Sequence, residues 1–224
     1  MTDTRLPTLA VLGGTGKEGR GLAIRWAHAG YAVIIGSRDP DRAAAAAAEL
    51  NTLLGAAPIV RGLGNVDAAR ECDIAVLSVP YEAHAATLAS IKEDVQNKLL
   101  IDVTAPLDPD NKRRVRRLAG GSAGQEAQQF LGENVRVVSA FQNVSYTHLA
   151  NLAETLDCDV LVCGNDKDAK RQVIELAHAA GMIAFDAGPI ENSVVAEGLT
   201  AVLININIQA KTKSAGIHIT GVPR

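Results

Sequence analysis

One stretch of the 224-residue sequence joins an apolar run to glycines at a fixed spacing: LAVLGGTGKEGRG, residues 9–21. Gly14, Gly16 and Gly19 form G-x-G-x-x-G directly behind the run, the context of a strand–turn–helix that binds a dinucleotide. By this spacing Gly14 permits the turn out of the strand and Gly16 lets the backbone approach a pyrophosphate. Gly19 lets the helix pack closely on the sheet. The free N–H groups of that helix's first turn, at the positive end of its dipole, then hold the anion. A second apolar run, YAVIIGS, ends without the Asp or Glu that accepts hydrogen bonds from the adenosine ribose in NAD sites. Ser37 and Arg38 stand there instead, with Arg42 four residues on. A hydroxyl and two planar guanidinium forks suit the 2′-phosphate of NADP. Asp39 precedes Pro40 and reads as a helix N-cap with proline at the first helical position.

Other reaction chemistry is hard to find. There is no HExxH, no GxSxG, no Walker lysine motif and no metal-ligand spacing of Cys and His, so no metal site is expected. His28, His84, His148, His178 and His218 are scattered and read as structural or surface residues. In an open parallel sheet, ligands bind beyond the carboxyl ends of the strands. That rule points to the Ser78-Val79-Pro80-Tyr81 turn with Ala85 on the next helix, to Val103, and to the polar loop Gln142-Asn143-Val144-Ser145-Tyr146. Such a cleft lacks an evident acid or base. Hydride transfer between two bound cofactors needs none from the protein, only donor and acceptor carbons held about 3–3.5 Å apart in a dry site. Dehydrogenation of an alcohol, by contrast, usually needs a proton acceptor.

The elements that must position these residues follow from pattern. The chain is 47% hydrophobic but only 3% aromatic, so its core must be aliphatic. A net charge of −3 exerts no overall pull toward nucleic acid or anionic membranes. Cys72, Cys158 and Cys163 form no CxxC and read as small hydrophobes of a reduced, cytoplasmic protein. The N-terminus lacks a signal-peptide pattern, and the apolar runs are strand-length rather than the roughly 20 residues of a membrane span. Strands are expected at residues 9–12, 31–37, 58–63, 73–79, 99–104, 135–141, 159–164 and 182–186. Helices are expected to follow most of them: one at 40–54 stopped by Gly55, a short one capped by Asn65, and a last one at 194–209. The run KRRVRR at 112–117 reads as a solvated helix face. It lacks the interleaved aromatics of a nucleic-acid surface, and a second reading makes it a receiver for an anionic substrate tail. Together these give an α/β fold: a Rossmann-like, doubly wound, mainly parallel sheet in residues 1–150, then a smaller α+β part in 151–224. The last helix is apolar on more than one face, which predicts a buried helix packed on another domain or subunit.

The blocks GGTGKEGRGLAIRWAHAGYAVIIGSR, CDIAVLSVPYEAH, VRVVSAF, DCDVLVCGND, DAGPIENS and GLTAVLININ…GIHITG resemble the NADPH-dependent reductases of coenzyme F420, in order and spacing, from about Leu9 onward. The resemblance implies a hydride transfer between NADP(H) and the deazaflavin F420, a dimer of identical chains, and small-molecule partners only. It implies that Thr15, Gly16, Lys17 and Glu18 line the pyrophosphate and that Ser37, Arg38 and Arg42 grip the 2′-phosphate. It places Tyr81, Ala85, Val144 and Tyr146 near the nicotinamide half. Where archaeal members carry a His-Thr pair in the loop that faces the deazaflavin, this chain has Gln142-Asn143, which donate and accept hydrogen bonds but do not titrate. Two alternatives keep the fold: a reductase whose acceptor is a flavin, quinone or metal chelate, and a non-catalytic NADP-binding subunit.

Overall fold

The structure, a computed structural model, describes residues 5–55 and 60–223. Short apolar runs alternate with amphipathic stretches, and each run becomes a strand: β1 (Leu9–Leu12), β2 (Val33–Ser37), β3 (Val60–Gly64), β4 (Ile74–Leu77), β5 (Leu99–Asp102), β6 (Arg136–Ser139), β7 (Asp159–Gly164) and β8 (Ile183–Asp186). They form an eight-stranded sheet in the order β3-β2-β1-β4-β5-β6-β7-β8. Every pairing is parallel except β6 with β7. The expected third strand began at residue 58, but 58 and 59 lie outside the described residues.

The helices are α1 (Lys17–His28), α2 (Pro40–Leu54), α3 (Asn65–Glu71), α4 (Tyr81–Ile91), α5 (Ala123–Leu131), α6 (Tyr146–Leu149), α7 (Lys167–Ala179) and α8 (Ser193–Ala210). Their ends are written in the sequence. Asp39 Oδ1 accepts from the N–H of Asp41 and of Arg42, Ser122 Oγ from Gln125 N, and an Asp166 oxygen from Ala169 N. Gly55 and Gly181 take left-handed conformations, φ 63° and 86°, after α2 and α7. Asn65 departs from expectation: Gly64 occupies the N-cap of α3, and Asn65 Oδ1 accepts instead from Gly13 N at 3.3 Å.

Strand alternation sends β1 side chains to two cores. Leu9 and Val11 join Trp26, Phe141, Val160 and Val173 on one face, while Ala10 and Leu12 join Leu88, Ile91 and Leu131 on the other. The single tryptophan is fully buried, its ring edge-on to Phe141 at 5.8 Å and its Nε1 donating to Leu176 O at 2.8 Å. The expected boundary at 150/151 falls between α6 and β7, and the segments on either side share one sheet and one core. Arg25 joins them. Its buried guanidinium donates to the backbone oxygens of Leu149, Ala180, His148, Asn151 and Glu154 at 2.7–3.2 Å.

Two expectations about surface elements are corrected. The KRRVRR run is not on a helix; it lies in an irregular loop between β5 and α5, pinned by the bridge Leu107–Val115. Asp108, Asn111 and the turn-forming residues around them compete with helical hydrogen bonding there. The last helix is not buried all round. Ala196, Glu197, Ala201 and Leu203 face inward, while Val194, Val195, Val202, Ile206 and Ile208 are 46–64% exposed. Residues Ile190–Ala210, with a mean hydropathy of 1.3, are long and apolar enough to cross a membrane by length and composition alone. The three cysteines are free and buried, as small hydrophobes would be.

Candidate functional site

The strand order reverses between β1 and β4, and the crevice opens there, beyond the carboxyl ends of both strands. A cavity of about 530 Å³ at this point is lined by Thr15, Gly16, Ser37, Arg38, Arg42 and Pro80, among others. The glycines that make room for it divide the work differently from the expectation. Gly13, not Gly14, makes the turn in the left-handed region, φ 77°. Gly14 is needed for space, because a Cβ on it would sit 2.6 Å from Val11 O. A Cβ on Gly19 would lie 3.0 Å from Gly14 Cα, Ser78 Oγ and Val11 Cγ1, so the third glycine does set the approach of α1 to the sheet. A Cβ on Gly16 would meet only Gly13 O, at 3.4 Å, which leaves its other side open toward the cavity. No side chain caps α1, whose first turn is free to receive an anion.

Around the far end of this cavity lie the exposed guanidiniums of Arg38 and Arg42. Neither has a carboxylate within 4.0 Å among the described residues. Ser37, at the end of β2, is buried and its Oγ accepts from Asp39 N at 3.2 Å, leaving its hydroxyl hydrogen to donate. Asp39 is held at the N-terminus of α2 by its two capping bonds. An unpaired double fork beside a free O–H donor and a helix N-terminus fits the dianionic 2′-phosphate of NADP. Asn65, read from the sequence only as a helix cap, and Thr87, which the sequence did not single out, also line this cavity.

The cleft continues into a space of about 250 Å³ lined by Gly16, Lys17, Glu18, Pro80, Val103 and Thr104. Beyond it is one of about 220 Å³ whose lining includes Gln142, Val144, Tyr146, Thr200 and Asn207, with Glu18 again at its edge. Glu18 therefore leaves the phosphate cavity that Thr15 and Gly16 line and turns into the inner end of the cleft. Lys17 reaches across it, its Nζ 4.8 Å from the centre of the Tyr146 ring. The loop after β6 is aimed by Phe141, a bulky residue at φ 77° whose ring is locked against Trp26. Gln142 Nε2 donates to Asp102 O and Ser139 Oγ, both at 2.8 Å. Asn143 turns inward, donating to Asp159 O at 2.7 Å, so it braces the loop against β7.

Tyr81 and Ala85 fall differently. The Tyr81 hydroxyl donates to Glu126 at 2.8 Å, its ring lies under Arg116, and burial with that acceptor pushes its pKa up to about 12. Ala85 is exposed, and Ala83 and Thr87 of the same helix take the places at the cavity wall. His84 is structural, as expected: its Nε2 lies 2.7 Å from Asp102 Oδ2 and both residues are buried. Burial lowers its pKa, but the Asp102 carboxylate outweighs this and holds it above the ordinary histidine value.

Comparison with known proteins accords with this geometry. Residues 8–106 match the family model described as NADP oxidoreductase, coenzyme F420-dependent. An F420-dependent NADP reductase of Methanothermobacter thermautotrophicus is 43% identical, over 100% of this chain and 99% of that protein. The chain belongs to the F420-dependent NADP reductase family. A second member, from Methanocaldococcus jannaschii, is 41% identical over 96% of this chain and 98% of its own length. The crystal structure of a protein described as a putative F420-dependent NADP reductase from Arthrobacter sp. FB24 superposes with a TM-score of 0.81. It is 27% identical and covers 96% of this chain and 100% of that one.

Proposed function

We propose that the protein moves a hydride between NADP(H) and the deazaflavin of coenzyme F420, in the cytoplasm and as a dimer of identical chains. The observation that carries the cofactor choice is the unpaired pair Arg38 and Arg42 beside Ser37, where an NAD site would hold a carboxylate. The names of the full-length relatives support the acceptor. The two cofactors supply the reacting carbons. The chain holds the diphosphate at the first turn of α1 and walls off the inner cleft with Pro80, Val103 and Val144. Gln142, fixed through its Nε2, sets the depth of the loop against the acceptor ring. The exposed valines and isoleucines of α8 support the dimer, because a second copy would cover them.

The test mixes purified protein with NADPH and oxidised F420 and follows both absorbances, with NADH, FMN and FAD as controls and light scattering on the same preparation. Loss of both bands with NADPH and F420 only, at twice the chain mass, is expected. Turnover of NADPH with FMN but not F420 would move the function to a flavin acceptor.

A further inference from the structure

Three buried polar atoms have no hydrogen-bond partner among the described residues: Glu18 Oε1, Thr104 Oγ1 and Gln142 Oε1. All three belong to residues that line the inner cleft. Glu18 and Thr104 share one cavity, Glu18 and Gln142 the next. Buried polar groups are satisfied in the great majority of cases, so three orphans on residues lining two spaces that share Glu18 point to a ligand that completes them. Their neighbours are already engaged. Gln142 Nε2 makes two bonds that fix which way its oxygen faces, and Thr104 N donates to Asp102 Oδ1 at 2.9 Å.

Glu18 is the odd member of the set. It stands in the first turn of α1, where the pyrophosphate would bind, so an ionised carboxylate would repel the ligand. Among the described residues no basic group lies within 4.0 Å of its carboxyl. Lys17, on its own helix, is drawn to the Tyr146 ring. Lys213 contributes to the lining from the C-terminal segment, and Asp102 stands behind Thr104, bonded to His84. The α8 residues on this side, Thr200 and Asn207, are uncharged. Burial pushes the Glu18 carboxyl up to about 8.

We propose that Glu18, as an uncharged carboxylic acid, acts with Thr104 Oγ1 and Gln142 Oε1 to hydrogen-bond the amide edge of the ring lodged in the inner cleft. Glu18 is thereby a specificity-determining residue for that ring. The inference rests on the proposed hydride-transfer function and names the group that orients one reactant. An acid O–H and the threonine hydroxyl donate to a ring carbonyl, and the glutamine oxygen accepts from an adjacent N–H. A carbonyl beside an N–H is offered both by the carboxamide of nicotinamide and by the imide edge of a deazaflavin. A ring lacking this edge would leave the three groups unsatisfied and be rejected.

The test measures dissociation constants of NADPH and of oxidised F420 separately, by fluorescence titration, for the wild type, Glu18→Gln and Glu18→Leu. For the ligand whose edge is read, wild-type affinity should fall roughly tenfold between about pH 7 and pH 9, as the acid ionises. Glu18→Gln, a neutral hydrogen-bonding isostere, should stay within about threefold of wild type at pH 7 and lose that pH dependence. Glu18→Leu should weaken binding about tenfold at pH 7. An infrared carboxylic C=O band present at pH 7 and missing in Glu18→Gln is an independent readout of the uncharged state. NADP bearing a 3-acetylpyridine ring identifies the source: it keeps the carbonyl but lacks the N–H that Gln142 Oε1 accepts, so if the carboxamide is read, wild type binds it more weakly than NADP. A response confined to F420 assigns the imide edge. A wild-type pH profile in Glu18→Gln, or unchanged binding of both ligands in Glu18→Leu, overturns the inference. Failure of the underlying function looks different, since the wild type would then show no preference for NADPH over NADH and no binding of F420.

Discussion

The two ends of the cleft solve opposite problems. The phosphate end is cationic: Arg38 and Arg42 are exposed, unpaired with acids among the described residues and carried on the short stretch from the end of β2 into α2. Their charge is well hydrated before the ligand arrives, and a dianion replaces water with forked, charge-assisted bonds. The inner end carries buried polar atoms beside Lys17, Glu18 and Lys213, and is assembled from α1, the ends of β5 and β6, α8 and the C-terminal segment. Its polar atoms are already desolvated, so they discriminate by being left unsatisfied when the wrong ligand enters. The contrast between Arg38 and Arg25 repeats the lesson. The same side chain is free to meet a ligand where it is exposed and unpaired among the described residues, and a clamp where five backbone oxygens surround it.

Replacing Arg38 and Arg42 together by Ala should have the largest effect. NADPH affinity should drop on the order of a hundredfold with NADH affinity nearly unchanged, by calorimetric titration, because two charge-assisted contacts are lost. An equal loss for both nucleotides would break the division between the two ends. Glu197→Ala should act at the inner end and on stability. Glu197 accepts from Ala123 N and Gly124 N at 2.8 and 3.0 Å, seating α8 on the first turn of α5. Its removal orphans two buried donors and should cost about 2 kcal/mol, read from denaturant unfolding. F420 affinity should fall with it while NADPH affinity stays within about twofold.

The smallest expected effect is a pH slope in stability. Burial raises the Glu18 carboxyl to about 8 and that of Glu197 to about 7, both from 4.5, the latter against the pull of the Gly124 and Ala123 N–H groups. The folded chain therefore keeps protons that the unfolded chain has already released between these limits. With more protons bound in the folded state, stability falls as pH rises. His84 adds the same sign, since its raised pKa makes a contribution that is lost as pH rises through it. A melting temperature lower by about 5 °C at pH 9 than at pH 6 is expected, with a shallower slope in Glu18→Gln. A flat profile would show that the inner end holds its acids ionised.

The sequence by itself determined the strands, several helix ends and the grouping of Ser37, Arg38 and Arg42 at the outer cavity. Those features depend on residues close together in the chain: an apolar run, a glycine spacing, Asp39 before Pro40, Ser37 beside Arg38. It also marked the polar loop at Gln142 through its position after β6. Which way each residue faces was decided elsewhere. Glu18 lies within the glycine motif and reads locally as a pyrophosphate neighbour, yet it shares a space with the loop after β6 and the last helix, and its Oε1 is buried without a hydrogen-bond partner among the described residues. Asn143 sits one residue from Gln142 and also lines the cleft, yet its amide donates to the end of β7. The buried Arg25 looks in sequence like any polar position of an amphipathic helix. Local pattern sets backbone conformation because its hydrogen bonds and sterics are short-ranged. The solvation and pairing of a side chain depend on segments far away in sequence, and only the tertiary structure brings those together.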